Sequence, residues 1–284
     1  MPSTGSIRPT DTDVRAALNS LGYKGFYELF DGAPNFRDGD GDGDAGTTGL
    51  NLLQTSNGRT FQYTPINTQT VAFPTWVEAT GLDWGQMDQT NTDGIILNDG
   101  VGARSRSAFV IGTSAPVVVS GTFTAADASG IGTFGIGFRK AEANQADYND
   151  YADAAFITAP HGVTTNKLQI ETIKGGATTS VTDTTQVWSD GETHTFSVIV
   201  DCNGSLGSLT SGAIGNGVVG QVFYEIDGAR PTALPTTAYK FTSGLTIVPE
   251  MFFTQNTDIT TFVQSLWECG YWPTSQTKQL ASQS

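Results

Sequence analysis

The residues most ready for chemistry in this chain lie in one short run, Asp38-Gly39-Asp40-Gly41-Asp42-Gly43-Asp44. The run matches the opening of a calcium loop, D-x-D-x-D-G, where alternating carboxylates converge on one hard cation and glycine allows the sharp turn. Asp38, Asp40, Asp42 and Asp44 are therefore the candidate metal ligands, and Ca²⁺ is the candidate ion. The pattern then departs: Gly49 stands where a bidentate Glu belongs, and no acid occurs between Asp44 and Glu78. Carbonyls, waters or a distant carboxylate would have to complete the ligand set. The same tract also reads as a solvated acidic linker. A metal here would fix the conformation of the chain rather than carry out a reaction.

Nucleophilic chemistry has little to build on. His161 lies in the turn-like Pro160-His161-Gly162. His194 shares the alternation of Phe196, Val198 and Val200 and is expected to face inward at the start of that strand. Neither stands in a nucleophile context such as G-x-S-x-G. Cys202 and Cys269 cannot by themselves form a disulfide framework or a zinc site, and a single bridge between them is left open.

Composition bounds the rest. Of 284 residues, 38% are apolar, 10% aromatic and only 15% charged, which is the make-up of a folding chain and not of a disordered one. The formal net charge of −14 leaves few cations from which to build a basic face, so nucleic acid is excluded as a partner. The opening MPSTGSIRPTDTD has no apolar signal-peptide core, and runs such as Val117–Val119 are too short to span a bilayer. A soluble protein made in the cytoplasm, with no membrane partner, is expected.

Two textures divide the chain. Thr10 to Leu21 reads as a helix: Val14, Ala17, Leu18 and Leu21 share one face, Thr10 or Thr12 caps the start, and Gly22 stops it. Phe26, Tyr27, Leu29 and Phe30 follow as an apolar cluster. From about Phe61 onward, Thr/Val/Ile/Phe runs alternate with Gly/Asn/Asp/Ser clusters, the pattern of an all-β sandwich or barrel. Phe134, Ile136 and Phe138 alternate with glycines, and Phe196, Val198 and Val200 form the longest stripe of period two. Asp93-Gly94, Asp99-Gly100, Asp190-Gly191 and Asp227-Gly228 read as turns, since Asp-Gly supplies the positive φ that tight hairpins need. The predicted organisation is an N-terminal arm over 1–60, a sandwich over 61–273 and a tail over 274–284. In this reading Val14, Leu18, Leu21, Phe26, Tyr27 and Phe30 are assembly contacts, because the polar Gly/Asp stretch separates them from the β-region.

A family resemblance enters through particular residues. Gly135-Ile136-Gly137-Phe138-Arg139-Lys140, Tyr148-Asn149-Asp150-Tyr151-Ala152-Asp153 and Leu168-Gln169-Ile170-Glu171-Thr172 come first. Trp188-Ser189-Asp190-Gly191-Glu192-Thr193-His194-Thr195-Phe196 follows, then Tyr224-Glu225-Ile226-Asp227-Gly228 ahead of Pro231-Thr232. Val248-Pro249-Glu250-Met251-Phe252-Phe253 and Leu266-Trp267-Glu268 close the series. In this order, over about 70–272, the chain resembles a concanavalin A-like, laminin-G-like jelly-roll domain of the kind found in tailed-phage virion proteins.

The resemblance implies an antiparallel jelly-roll sandwich and a virion structural role. The implied protein is a capsid decoration or accessory component that forms homo-oligomers and contacts the major capsid protein. A glycan- or receptor-binding module on the same particle is the alternative, and Tyr148, Asp150, Tyr151 and Asp153 are its candidate ligand residues. Trp84, Trp188, Trp267, Tyr271 and Trp272 are further aromatics, of which Trp188 and Trp267 read as core. Glycoside hydrolases use this sandwich too, with acids on alternate positions of one strand. Glu225-Ile226-Asp227-Gly228-Ala229-Arg230 begins that pattern, but no second Glu follows, and Asp227-Gly228 reads better as a turn. A protein that is not an enzyme is expected.

Overall fold

The structure is a computed structural model. It describes residues 25–37, 51–66, 74–85, 94–100, 107–160, 167–208, 217–255 and 261–271, except the single positions 57, 79 and 178. Apart from short 3₁₀ turns, the described elements are strands, and every pairing between them is antiparallel. They make the two sheets of an all-β jelly-roll sandwich, as the alternation predicts.

The first sheet has seven strands. In spatial order they are β15 (Gln221–Ile226), β14 (Thr193–Asp201), β9 (Val117–Ala125) and β17 (Phe262–Tyr271). The far flank of β17 is shared by β1 (Gly25–Leu29) and β6 (Gly81–Asp83), and β5 (Thr75–Val77) pairs with β6. The second sheet has ten strands. It runs from β13 (Ser180–Val187) through β12 (Lys167–Ile173), β11 (Ala154–Pro160), β10 (Ile131–Lys140) and β16 (Thr246–Gln255). It continues with β7 (Gly94–Asn98), β4 (Thr60–Ile66), β3 (Asn51–Gln54) and β2 (Asn35–Arg37), while β8 (Phe109–Val110) joins the flank of β16.

The period-two stripes meet between the sheets. Phe196, Val198 and Val200 of β14 face inward with Val117, Val119 and Phe123 of β9, and Phe134, Ile136 and Phe138 of β10 oppose them. All of these are fully buried. Trp188 and Trp267 belong to the same core, as their sequence setting suggests, and Trp84 joins them. The Asp227-Gly228 turn is also as read: φ is +54° at Asp227 and +73° at Gly228, and Ile226 and Ala229 exchange both backbone hydrogen bonds. This is a type I′ hairpin geometry, which Asp-Gly adopts with little strain. Gly94 is different. It is a strand residue of β7, where a Cβ would sit 2.1 Å from the Phe253 carbonyl oxygen, so close strand approach explains it better than a turn.

The arm reading is corrected for the residues described. β1 adds to β17 over five paired positions, Gly25 with Gly270 through Leu29 with Leu266. Phe26 and Phe30 are 3% and 4% exposed in the protein's own core. Phe26 packs edge-on against Phe61 at 5.0 Å and Trp267 at 4.8 Å. β2 and β3 extend the ten-stranded sheet through β4. The apolar cluster therefore finishes this sandwich and does not await a neighbour. Tyr27 pairs in register with Glu268 on the same strand ladder. The predicted helix 10–21 with Val14, Leu18 and Leu21, the Asp38–Asp44 tract, Trp272 and the tail 274–284 lie outside the described residues. Among the described residues no helix is long and apolar enough to cross a membrane.

A second, smaller core covers the outer face of the ten-stranded sheet. The segment between β10 and β11 folds back over it and inserts Tyr148 and Tyr151 among Ile96, Phe156, Ile173 and Phe252. The Tyr148 ring lies 5.8 Å from Phe156 and 5.5 Å from Phe252. Arg139 and Glu250, both fully buried, form an ion pair beneath it. The guanidinium donates to the carbonyls of Lys140 at 3.0 Å and Glu142 at 2.9 Å, and to Asn144 Oδ1 at 2.8 Å. Tyr151 covers the guanidinium at 4.6 Å and donates its hydroxyl to Glu250 at 3.0 Å. Each nitrogen of the guanidinium is thus hydrogen-bonded and Glu250 Oε2 accepts from both Arg139 and Tyr151, while Glu250 Oε1 has no hydrogen-bond partner among the described residues.

Two stability predictions follow from this packing. Phe26→Ala is expected to cost about 3–5 kcal/mol in chemical denaturation of the isolated chain, as for a buried aromatic; a true assembly arm would leave that value unchanged. Arg139→Met, which strands Glu250 as a lone buried charge, is expected to cost roughly 3–5 kcal/mol, with partial recovery in the Arg139→Met/Glu250→Gln double variant.

Candidate functional site

The tyrosine–acid segment chosen from the sequence does not present a ligand surface. Tyr148 is 3% exposed, Tyr151 is 0% and Asp153 is 7%, and of the predicted quartet only Asp150 is exposed. The aromatic rings face the sheet, not solvent, because Phe156, Phe252 and Ile96 leave an apolar outer face that must be covered. Asp153 is used locally and accepts the Gly175 amide at 3.3 Å. The segment is a loop laid over the outer face of the sheet.

Two buried carboxylates lie under the same loop. Glu250, Gly137, Phe156 and Glu171 are register neighbours in one row across β16, β10, β11 and β12. Three strand spacings separate the acids, roughly 14 Å between backbones, against the roughly 5–9.5 Å between carboxyl groups of a glycosidase pair. Each is engaged separately: Glu171 accepts from Tyr148 at 2.7 Å and Thr158 at 2.8 Å, and Glu250 from Arg139 and Tyr151. Burial pushes both carboxyls above the usual range, opposed at Glu250 by the guanidinium and at Glu171 by its two hydroxyl donors. Their arrangement serves to hold the loop.

His194 faces the end of the core as expected, edge-on to Trp188 at 5.6 Å. Its Nδ1 lies 2.7 Å from Asp227 Oδ2 and its Nε2 3.4 Å from Glu192 Oε2. Asp227 also accepts the Thr195 amide at 2.8 Å, so the contact ties the β14 start to the type I′ turn. His161 lies outside the described residues. Cys202 and Cys269 are free and buried, which decides the open question of a bridge between them. Burial pushes the Cys202 thiol up to about 12 and Cys269 well above its ordinary value, so neither is a ready thiolate. Among the described residues no three His, Cys, Asp or Glu side chains are placed to hold a metal ion.

An open groove lies elsewhere, along a side of the sandwich. The edge strand β13 supplies one wall with Ser180, Val181, Thr182 and Asp183. The connection from β15 to β16 supplies the other with Leu234, Pro235, Thr236 and Thr237. The space between is about 450 Å³, within the roughly 300–1,000 Å³ of small-molecule sites. Physical reasons on both sides keep it open. β13 pairs with β12 only, and between the pairs Lys167–Val187 and Gln169–Asp183 a single residue of β12, Leu168, stands opposite three of β13, Thr184, Thr185 and Gln186. This bulge, with Thr185 at φ +68°, interrupts the pairing between Asp183 and Val187, just beyond the groove residues. The other wall is anchored by Tyr239, whose hydroxyl donates to the Ile173 carbonyl at 2.6 Å. Asp183 is held by Lys167 through an ion pair and accepts the Thr185 amide at 2.8 Å. The hydrogen bond from Lys167, first among the causes, lowers its carboxyl below the usual range. Sequence reading missed these residues, since Ser/Thr/Asp in a strand and Thr-rich loop residues carry no motif, and only their juxtaposition makes a groove.

No protein-family model and no curated protein matches the chain. Solved structures do resemble it. The Emp47p carbohydrate recognition domain is 10% identical, with a TM-score of 0.45, over 74% of this chain and 89% of that one. The Crh5 transglycosylase is 10% identical, with a TM-score of 0.45, over 88% and 85%. A β-1,3-1,4-glucanase (lichenase) derived from a mouse hindgut metagenome is 11% identical, with a TM-score of 0.40, over 87% and 99%. The Emp46p carbohydrate recognition domain, similar at a TM-score of 0.45, was solved in a potassium-bound form. Identities and scores this low transfer no substrate and no residue role. They do correct one expectation. A glycosidic hydrolase, a transglycosylase, a sialidase and a lichenase stand among the similar structures, so the exclusion of enzymes drawn from missing motifs is withdrawn.

Proposed function

We propose that this protein recognises a glycan, and that the groove between β13 and Leu234–Thr237 is where the saccharide lies. The observation that carries this reading is the chemistry of the two walls. Ser180, Thr182, Thr236 and Thr237 offer hydroxyls that both donate and accept, Asp183 offers a fixed carboxylate, and Val181, Leu234 and Pro235 offer apolar surface. A pyranose has the matching features: hydroxyls around its rim and apolar C–H faces. Val181 is 52% exposed, so apolar surface waits uncovered at the groove. The outer face of the ten-stranded sheet, filled by Tyr148 and Tyr151, leaves a ligand to the side of the sandwich. The virion role, with the major capsid protein or further copies of the chain as partners, rests on the sequence resemblance alone, whereas the glycan reading has a groove to support it.

Binding of the full chain to a panel of neutral and acidic oligosaccharides tests the reading. Asp183→Asn and Thr236→Val are expected to weaken a bound saccharide roughly tenfold each, the equivalent of about 1.4 kcal/mol, without change in melting temperature. Absence of any binding at millimolar saccharide would remove the proposal. The same panel, followed for release of reducing ends, reads out any hydrolysis.

Calcium at Asp38, Asp40, Asp42 and Asp44 belongs to the proposal as a structural ion. Titrating Ca²⁺ into chelated protein is expected to raise the melting temperature by mass action. No shift at millimolar Ca²⁺ would return the tract to an acidic linker.

A further inference from the structure

Beside the groove, and sharing Leu234 and Pro235 with it, is a smaller cavity of about 40 Å³ backed by β15. Four polar side chains line it, Gln221, Tyr224, Arg230 and Tyr239, and the Tyr239 hydroxyl is already committed to the Ile173 carbonyl. Tyr224 is 4% exposed, and its hydroxyl has no hydrogen-bond partner. Such a group costs about 1–3 kcal/mol when left unsatisfied, and native structures hold few of them. Arg230, exposed at the mouth, forms no ion pair among the described residues. Val222, Phe223 and Leu234 make much of the rest apolar.

Donors outnumber acceptors in this set, to which Gln221 adds an amide NH2 and a single amide oxygen. A guanidinium carries donors and no acceptor, and an unpartnered phenol, which can donate or accept, is free to donate alongside it. What enters must therefore be small and rich in acceptors. A carboxylate meets both requirements, since its oxygens take the parallel donors of an arginine fork and leave a lone pair for the phenol. A hydroxymethyl group would satisfy Tyr224 but bring a further donor toward the guanidinium. The wider charge pattern agrees. The chain carries a formal net charge of −14, which works against acidic ligands everywhere except where a cation is set aside for them. In the groove itself, the Asp183 charge is compensated by Lys167.

We propose that the groove takes a carboxylate-bearing saccharide, a uronic acid or similar sugar, whose carboxylate enters the small cavity between Arg230 and Tyr224. This rests on the glycan reading of the groove. It gives that reading a polarity: the ring lies along Ser180–Asp183 and the acid points toward β15.

The test compares a galacturonic acid trisaccharide with its neutral galactose counterpart by calorimetry, using the full chain. The acidic sugar is expected to bind at least tenfold more tightly at low salt, with the difference shrinking as salt rises. Arg230→Gln is expected to abolish the preference while leaving neutral affinity unchanged. Tyr224→Phe carries the sharper signature: acid affinity falls about tenfold while the melting temperature of the free protein holds or rises, because an unpartnered hydroxyl has been removed. Equal affinity for the two sugars, or a preference that survives Arg230→Gln, overturns the inference and leaves the groove reading in place. A fall in free-protein stability on Tyr224→Phe would make the hydroxyl structural and overturn its role. No binding of either sugar overturns both this inference and the reading beneath it.

Discussion

Everything else in the structure depends on the aromatic layer clamped between the two sheets. Phe253 of β16 and Phe262 of β17 stack with ring centroids 4.3 Å apart and planes 1° from parallel. Phe134 meets Phe123 at 4.8 Å, Phe196 at 5.4 Å and Trp188 at 5.7 Å. These residues come from strands of both sheets, so one contact network sets the sheet separation and, through the strict alternation of side chains, the register of every stripe that feeds it. Fully burying side chains of this kind is worth about 1.5–3 kcal/mol each. The Arg139–Glu250 pair is costly to break but adds little net stability once its desolvation is counted, so the outer polar clusters supply no comparable driving force. They decide which loops lie where, on a platform the aromatic layer has already built.

The ten-stranded sheet has a second consequence. Its outer face is itself apolar along Ile96, Phe156 and Phe252, and a sheet with two apolar faces needs a second cover. The chain supplies the cover from the β10–β11 connection, anchored by Tyr151 on Glu250 and Tyr148 on Glu171. Acids that look like reactive groups in isolation become anchors in this setting, because each buried carboxylate is matched to a tyrosine hydroxyl. The surface left for recognition is moved to the side, where an edge strand and a long connection stand apart.

Edge strands invite unwanted pairing unless something limits them. β15 is partly covered by its own following segment, since Val222 donates to the Tyr239 carbonyl at 3.0 Å. β13 is limited by the bulge around Thr185. The groove occupies the interval between these two protected edges. It lies where the connection after β15, tied to β15 through the Tyr239 carbonyl and to β12 through the Tyr239 hydroxyl, runs beside β13 along Leu234–Thr237.

The sequence by itself determined the class of fold and several of its local parts. Stripes of period two at Phe196–Val200 and Phe134–Phe138 commit those segments to strands with one face buried, whatever their neighbours. Asp227-Gly228 commits the chain to a tight turn, because few other pairs tolerate two positive φ angles in succession. Tertiary structure decided what the apolar cluster at Phe26 and Phe30 is for. Its partners, Phe61 and Trp267, are distant in sequence, so nothing local distinguishes a strand that completes the sandwich from an arm that reaches another chain. The same holds for Tyr148 and Tyr151, whose exposure depends on Phe252 and Glu250 about a hundred residues away. The groove is the extreme case. Asp183 and Thr236 become neighbours only when both sheets are in place, because a surface made from two unrelated segments leaves no pattern within either one.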